Sequence, residues 1–289
     1  MKIDRLLAAT DLSAPANHAV ERAAMIARES GAALDLLHVI SFGPLEKLRK
    51  LMQDTSAAMQ QRILETAHGR LIAQAEALAK RYGVSADARV LSGSLLTELH
   101  DVSADMIVCG ARGESFMRHA LLGSTAERML RRTRRPMLVV KQAAHETYQT
   151  VLIPVDFSSS SLRAIAQARR IAPQAEIILL HAYEVPFEGQ LRYASVEEST
   201  LNEYLLIAKR EAAASMEELC RQAGLALDQA RYVLVHGDPS SSVIEQEQVQ
   251  SADLVVMGKH GESLFEELLL GSVTKHVLAE SQCDVLVSI

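Results

Sequence analysis

A single glycine pattern occurs twice in this chain of 289 residues, at positions 148 apart. In the first copy two glycines are followed, after nine residues, by a glycine and a serine: Gly110, Gly113, Gly123 and Ser124. The second copy repeats the spacing: Gly258, Gly261, Gly271 and Ser272. The openings match too, since IDRLLAATDLS at 3–13 is similar to TVLIPVDFS at 150–158. A repeat of this length indicates duplication of a whole domain rather than a solenoid of short units. We predict domains at 1–143 and 148–289, close to the usual size of about 100–150 residues.

Each copy alternates short apolar runs with segments whose apolar residues recur at helical spacing. In the first copy the run Leu6–Ala9 is followed by Ala14–Ser30, which stops at Gly31. Long helices are predicted at about 57–82 and 197–223. Strict alternation of strand and helix gives right-handed crossovers and a parallel sheet covered on both faces. The fold class is therefore α/β, with two doubly wound, Rossmann-like domains of five strands each.

The last strand of each copy is apolar and lies at the edge of its predicted sheet. PMLVV at 136–140 corresponds to DVLVS at 284–288, close to the final residue. An open apolar edge strand promotes aggregation. Pairing of these two strands would cover both edges, so we expect the repeats to form an intramolecular pseudo-dimer. Association of two chains into a homodimer stays open.

The glycine pattern has the composition of a phosphate-binding loop. Glycine lets backbone N–H groups approach a ligand closely, and the second glycine element opens a helix whose N-terminus favours an anion. Ser124 and Ser272 can cap those helices or donate to a phosphate oxygen. The alternative is that the glycines serve a tight turn and the serines only cap. Two copies, each with an aspartate after its first strand (Asp11 and Asp156), favour nucleotide binding.

On these motifs the chain resembles tandem universal stress proteins over nearly its whole length. The ATP-binding branch of that family carries the motif G-x2-G-x9-G-(S/T), which both copies fit. The resemblance implies ATP as ligand, with Mg²⁺ carried by the nucleotide. It places the first set of ligand contacts on Asp11, Val39, Cys109, Gly110, Gly113, Gly123, Ser124 and Thr125. It places the second set on Pro154, Asp156, Ala182, Met257, Gly258, Gly261, Gly271, Ser272 and Val273.

The two copies depart from the family pattern in different ways. Ala9 stands where Pro154 stands in the second copy, which loosens the first site around an adenosine. The second copy has Glu262, Glu266 and Glu267 near its loop, and these carboxylates disfavour a triphosphate. The motif thus favours the second site and the charges favour the first, and both stay candidates. A strand-end histidine in each copy, at 38 and 181, is interpreted as hydrogen-bonded to backbone rather than catalytic.

Composition limits the location and the partners. No apolar run approaches the ~20 residues of a membrane span, and the first residues lack a signal-peptide layout. The three cysteines are scattered without CxxC spacing, which argues against a disulfide framework. We therefore expect a cytoplasmic protein without a membrane partner. Nucleic acid is not an expected partner, because the arginine run at 131–135 fits a helix C-terminus and has no counterpart in the second copy.

Three functional hypotheses follow. The first is a stress-response regulator that binds ATP and whose occupancy changes what protein partner it docks to. The second is a docking scaffold that has lost nucleotide binding in one or both domains. The third is a weak ATPase or autophosphorylating enzyme on a related fold. The first is preferred because neither a Walker A pattern nor a general-base constellation is visible, and no intrinsic metal site is expected.

Overall fold

The structure is a computed structural model that describes residues 3–42, 57–113, 122–185, 187–194, 196–226, 230–260 and 270–289. It divides into two compact units, Met1–Thr147 and Tyr148–Ile289. Within the described ranges, none of the helices combines the length and the apolar character needed to cross a membrane.

In the first unit the described part contains a parallel five-stranded sheet in the order β3-β2-β1-β4-β5. Its strands are β1 Arg5–Ala9, β2 Ala33–Ile40, β3 Ala86–Ser92, β4 Met106–Gly110 and β5 Met137–Val140. Its helices are α1 Ala14–Ser30, α2 Ala57–Tyr82, α3 Leu95–Asp101 and α4 Ser124–Arg132. The predicted alternation of strands and helices is confirmed.

The second unit repeats this topology in the order β8-β7-β6-β9-β10, again with parallel strands. Its strands are β6 Thr150–Pro154, β7 Glu176–Tyr183, β8 Ala230–His236, β9 Leu254–Gly258 and β10 Asp284–Ser288. Its helices are α5 Ser159–Ile171, α6 Glu188–Tyr193, α7 Glu198–Gln222, α8 Pro239–Val249 and α9 Ser272–Glu280. Helix α6 has no counterpart among the predicted elements.

The central strands form the core of each unit because helices cover both of their faces. Leu6 and Leu7 of β1 are completely buried, as are Val151 and Leu152 of β6. Such strands read as continuous apolar runs rather than alternating ones, which is why the short runs are visible in the sequence. Burial on both faces holds the carboxyl ends of the strands in fixed positions.

Helix α1 shows how local sequence fixes an element beside that edge. The Ser13 side chain caps its first turn by accepting a hydrogen bond from the Ala16 N–H at 3.3 Å. The helix ends at Gly31, which takes a left-handed φ of 68° and donates its N–H to the Ala27 carbonyl. The cap at Ser13 places the start of α1 directly after the loop that follows β1.

Candidate functional site

A cavity of about 590 Å³ opens at the carboxyl edge of the first unit's sheet. It lies where β1 and β4 are neighbours and the chain winds away from them in opposite directions, which is the usual ligand position in such sheets. All eight residues predicted for the first site contribute to its lining: Asp11, Val39, Cys109, Gly110, Gly113, Gly123, Ser124 and Thr125. They come from four separate stretches of the chain. The volume of the cavity is typical of small-molecule sites.

The loop after β1 holds Asp11 in a constrained conformation. Leu12, the next residue, has a φ of 63°, which is uncommon for a side chain larger than glycine. The Asp11 Oδ1 atom accepts a hydrogen bond from the Ser13 N–H at 3.0 Å. The same backbone strain recurs in the second unit, where Phe157 has a φ of 64°. Strain of this kind concentrates at functional sites because the surrounding structure must maintain it.

Two glycines of the first copy permit close approaches that a side chain would prevent. A Cβ at Gly110 would lie 3.3 Å from the Pro15 carbonyl oxygen at the start of α1 and 3.0 Å from the Arg112 carbonyl oxygen. A Cβ at Gly113 would overlap the Asp11 Oδ2 atom. The loop backbone therefore packs against both the aspartate and the neighbouring helix, which accounts for glycine at these positions.

The second glycine element places the start of α4 on the cavity wall. Gly123 is the N-cap of this helix, and its N–H donates to the Ala111 carbonyl at 2.8 Å. The suggestion that Ser124 caps the helix is wrong, because Ser124 is the first helical residue. No side chain caps this described helix start. Its first N–H groups therefore keep the anion-binding character of a helix N-terminus.

The Cys109 thiol lies on the inner wall of the cavity and is almost fully buried. Burial raises the pKa of this thiol to about 12. The group therefore stays protonated at physiological pH, and a thiol in that form is a poor nucleophile. Its contribution to the cavity is shape rather than redox chemistry.

The two strand-end histidines make equivalent hydrogen bonds to backbone. His38 Nδ1 lies 2.8 Å from the Thr10 carbonyl oxygen, and His181 Nδ1 lies 2.8 Å from the Val155 carbonyl oxygen. A carbonyl only accepts, so Nδ1 donates in both units. The interpretation of these histidines as backbone-bound is confirmed, and each fixes the chain just before the site aspartate.

In the second unit the predicted residues occupy the matching places in the fold. Pro154 ends β6, Ala182 lies in β7, and Met257 and Gly258 end β9. Gly271 is the N-cap of α9, so here too capping by Ser272 is wrong. Ser272 and Val273 form the first turn of that helix, and Gly261 lies outside the described residues.

The second aspartate, Asp156, is held by two neighbouring serines. Asp156 Oδ1 accepts from the Ser158 N–H at 3.1 Å, the Ser158 hydroxyl at 2.6 Å and the Ser161 hydroxyl at 2.8 Å. The first unit has Ala16 in the place of Ser161, so that hydroxyl is absent there. A ligand must compete with these hydroxyls for Asp156 Oδ1.

The cavity also contains residues that the sequence reasoning missed. Helix α3 supplies Leu95, Leu96 and its N-cap residue Ser94, and helix α4 supplies Arg128. Arg128 is four residues after Ser124, so both lie on one face of α4, and that spacing was the available signal. The α3 contribution depends on the packing of a separate element. No group of three His, Cys, Asp or Glu side chains suited to a metal ion occurs in the parts of the chain that the structure describes.

The sequence and the fold agree with those of known proteins. The model of the universal stress protein family matches the chain twice, over residues 2–141 and 147–288. The chain therefore belongs to the universal stress protein family, as a tandem member, and membership supports a role in the stress response.

Individual relatives match the whole chain or about half of it. A universal stress protein from Mycolicibacterium smegmatis is 29% identical over 98% of this chain and 96% of its own length. Another, from Methanocaldococcus jannaschii, is 32% identical over 48% of this chain and 81% of its own. The crystal structure of a universal stress protein from Archaeoglobus fulgidus has a TM-score of 0.68 at 20% identity, covering 98% of this chain and 97% of that one. That last similarity concerns the fold.

Proposed function

We propose that the first unit binds an adenine nucleotide, ATP with its Mg²⁺, in the cavity between β1 and β4. The observation that carries this proposal is the convergence of eight separately predicted residues on one cavity at the switch point of the sheet. The loop glycines leave backbone within reach of a ligand, and the start of α4 offers N–H donors for phosphate oxygens. Asp11 and the end of β2 at Val39 are left to hold the nucleoside.

The protein acts as a nucleotide-dependent binding protein in the cytoplasm rather than as a catalyst. In the described lining of the cavity, Asp11 is the only carboxylate and there is no histidine. Ser124 and Thr125 bring hydroxyl groups to the wall, but catalysis through them requires a base placed beside them. Binding of the nucleotide instead favours one conformation of the unit. A protein partner that binds the two conformations with different affinities then responds to the nucleotide.

The second unit is proposed as a weaker site of the same kind. It has the equivalent loop and helix start, at Gly258 and Gly271, and an equivalent aspartate. Its aspartate oxygen is already engaged by two hydroxyls, and this competition lowers its affinity for a ligand. If the first unit also fails to bind nucleotide, the docking-scaffold hypothesis takes the place of this proposal.

Replacement of Asp11 tests the proposal. Asp11→Ala is expected to weaken ATP binding at one site about tenfold or more, because a hydrogen bond to a charged group contributes about 1.5–3 kcal/mol. Asp156→Ala is expected to have a smaller effect. Equilibrium dialysis with labelled Mg-ATP on the full chain measures both.

Asp87→Ala is the control for this experiment, since Asp87 is an exposed residue of β3 outside the cavity lining. Its binding curve should match that of the unaltered protein. Equal ATP affinities for Asp11→Ala and Asp87→Ala would show that the cavity does not hold the nucleotide.

A further inference from the structure

The charged side chains around the two candidate sites differ in a consistent way. In the first unit the described cavity lining contains two arginines, Arg112 and Arg128, besides Asp11. The repeat places histidines at the equivalent positions, His260 and His276. Histidine carries a full positive charge only in acidic solution, whereas arginine is charged at all relevant pH values. The second copy has a lysine of its own, Lys259, in the place of the cavity-lining Ala111. The two sites therefore differ in the kind of permanent cation, with guanidinium groups at the first and an ammonium group at the second.

Arg128 is held beside the start of α4. Its Nε–H donates to the Ser124 carbonyl oxygen at 3.1 Å, one turn earlier in the helix. Both residues line the cavity, together with Thr125. The guanidinium charge thus lies next to the helix start that offers N–H donors to an anion, and arginine presents a rigid fork suited to phosphate oxygens.

Helix α3 faces the same region, and its N-cap is not acidic. Glu98 in its first turn lies beside Gly93 of the cavity lining, since a Cβ on Gly93 would be 2.9 Å from the Glu98 Oε1 atom. The N-cap residue is Ser94, which lines the cavity with Arg128. In the second unit the equivalent N-cap is Asp238, and His276 is close enough to influence its ionisation electrostatically. The pKa of Asp238 is lowered chiefly by hydrogen bonds from the Ser241 backbone and side chain. This carboxylate therefore stays negative at neutral pH and repels phosphate.

We propose that Arg112 and Arg128 make the first site selective for the phosphate chain, so that it prefers di- and triphosphates over nucleosides and monophosphates. The second site has Lys259, two histidines and Asp238 in place of these guanidinium groups, and its preference for the phosphate chain is smaller. This inference rests on the proposed function, because it assigns roles to side chains around the same nucleotide. It goes further by assigning different ligand preferences to two sites that share one motif.

The test resolves the two sites by photolabelling the full chain with 8-azido-ATP and identifying the labelled peptides of each unit. Unlabelled ATP, ADP, AMP and adenosine then compete with this probe. For each labelled peptide, the half-inhibitory concentration of every competitor is measured and compared with that of ATP. Arg112→Ala and Arg128→Ala should each weaken ATP competition at the first unit about fivefold, and the double variant roughly twentyfold, as expected for exposed charges. Competition by adenosine should not change. Arg132→Ala, on the same helix but outside the lining, is the matched control.

The reciprocal change is expected to increase the preference of the second unit for the phosphate chain. His276→Arg combined with Asp238→Ser, which keeps a residue suited to the N-cap, should raise the ATP-to-adenosine preference there severalfold. An unchanged preference at the first unit in the double arginine variant would overturn this inference and leave the proposed function intact. Absence of specific, competable labelling in the unaltered protein would overturn both. Melting curves by circular dichroism verify that every variant is folded.

Discussion

Gly113→Ala is expected to lower the affinity of the first unit for ATP at least about tenfold, equivalent to about 1.4 kcal/mol. The added Cβ would overlap the Asp11 Oδ2 atom, so the carboxylate and the loop cannot keep their positions together. Gly113 is not part of the buried core, and the melting temperature should change by only a few degrees. Titration calorimetry with Mg-ATP on the full chain measures the loss.

Gly69→Ala is the matched control for that experiment. Gly69 lies within α2, and a Cβ there would meet no atom within 4 Å. The same single carbon is thus added in open space, where alanine also has the better helix propensity by about 1 kcal/mol. ATP binding by Gly69→Ala should equal that of the unaltered protein. If Gly113→Ala retains full affinity as well, Asp11 and the loop do not act together on the nucleotide.

A second large effect is expected from Glu247→Ala, which should destabilise the second unit by about 3 kcal/mol. The Glu247 side chain is almost fully buried, and its Oε1 accepts the Gln282 N–H at 2.7 Å and the Cys283 N–H at 2.9 Å. These bonds hold the chain as it enters β10. Each hydrogen bond to a charged group contributes about 1.5–3 kcal/mol, and Cys283 is buried away from water. Thermal unfolding should show a decrease of roughly 6–12 °C for this unit.

Two variants show whether the loss of stability in Glu247→Ala comes from its hydrogen bonds, from its charge or from a change in its helix. Glu247→Gln keeps an oxygen for the two N–H groups, and the Oε2 atom that it replaces has no hydrogen-bond partner among the described residues. Because the acceptor becomes neutral and an amide NH2 takes the place of Oε2, this variant should lose about 1–2 kcal/mol, less than Glu247→Ala. Glu245→Ala removes an exposed glutamate of the same helix and should have little effect. A similar loss for Glu245→Ala and Glu247→Ala would contradict the assignment.

The spacing of a glycine and an aspartate predicts a difference in helix length between the two repeats. Gly93 precedes Asp105 by 12 positions and Gly237 precedes Asp253 by 16, which predicts one helical turn fewer in the first unit. Helix α3 has 7 residues and α8 has 11, so this prediction is confirmed. Glu247 lies in the longer of these two helices. Its bonds to 282 and 283 depend on tertiary packing, and no local pattern in the sequence indicates them.

The bounds of the regular elements were predictable because their signals are local. Ala14–Ser30 begins after a serine cap and ends at a glycine, and the structure has the same bounds. Helix α6 was missed because its position involves a distant contact, in which His236 Nε2 lies 2.7 Å from Glu188 Oε2. No periodicity within six residues indicates a contact of that kind.

The candidate site likewise contains residues that the sequence predicts and residues that it does not. Its glycines and aspartates are visible because their spacing is repeated and each follows the end of a strand. Ser94 is not visible, because it comes from a helix that packs beside α4. The engagement of Asp156 by Ser161 is also absent from the motif, although it distinguishes the two aspartates. The motif thus predicts a position for a ligand, and the differences proposed between the two units depend on residues outside it.

The nucleotide content of the freshly purified full chain tests the central claim most directly. Acid extraction followed by ion-exchange chromatography quantifies bound adenine nucleotide, and the absence of tryptophan, with 6 tyrosines, makes bound adenine easy to detect by absorbance. We predict at least one ATP per chain, with a large decrease in Gly113→Ala. Protein that is folded, carries no nucleotide and does not bind added Mg-ATP would contradict the account.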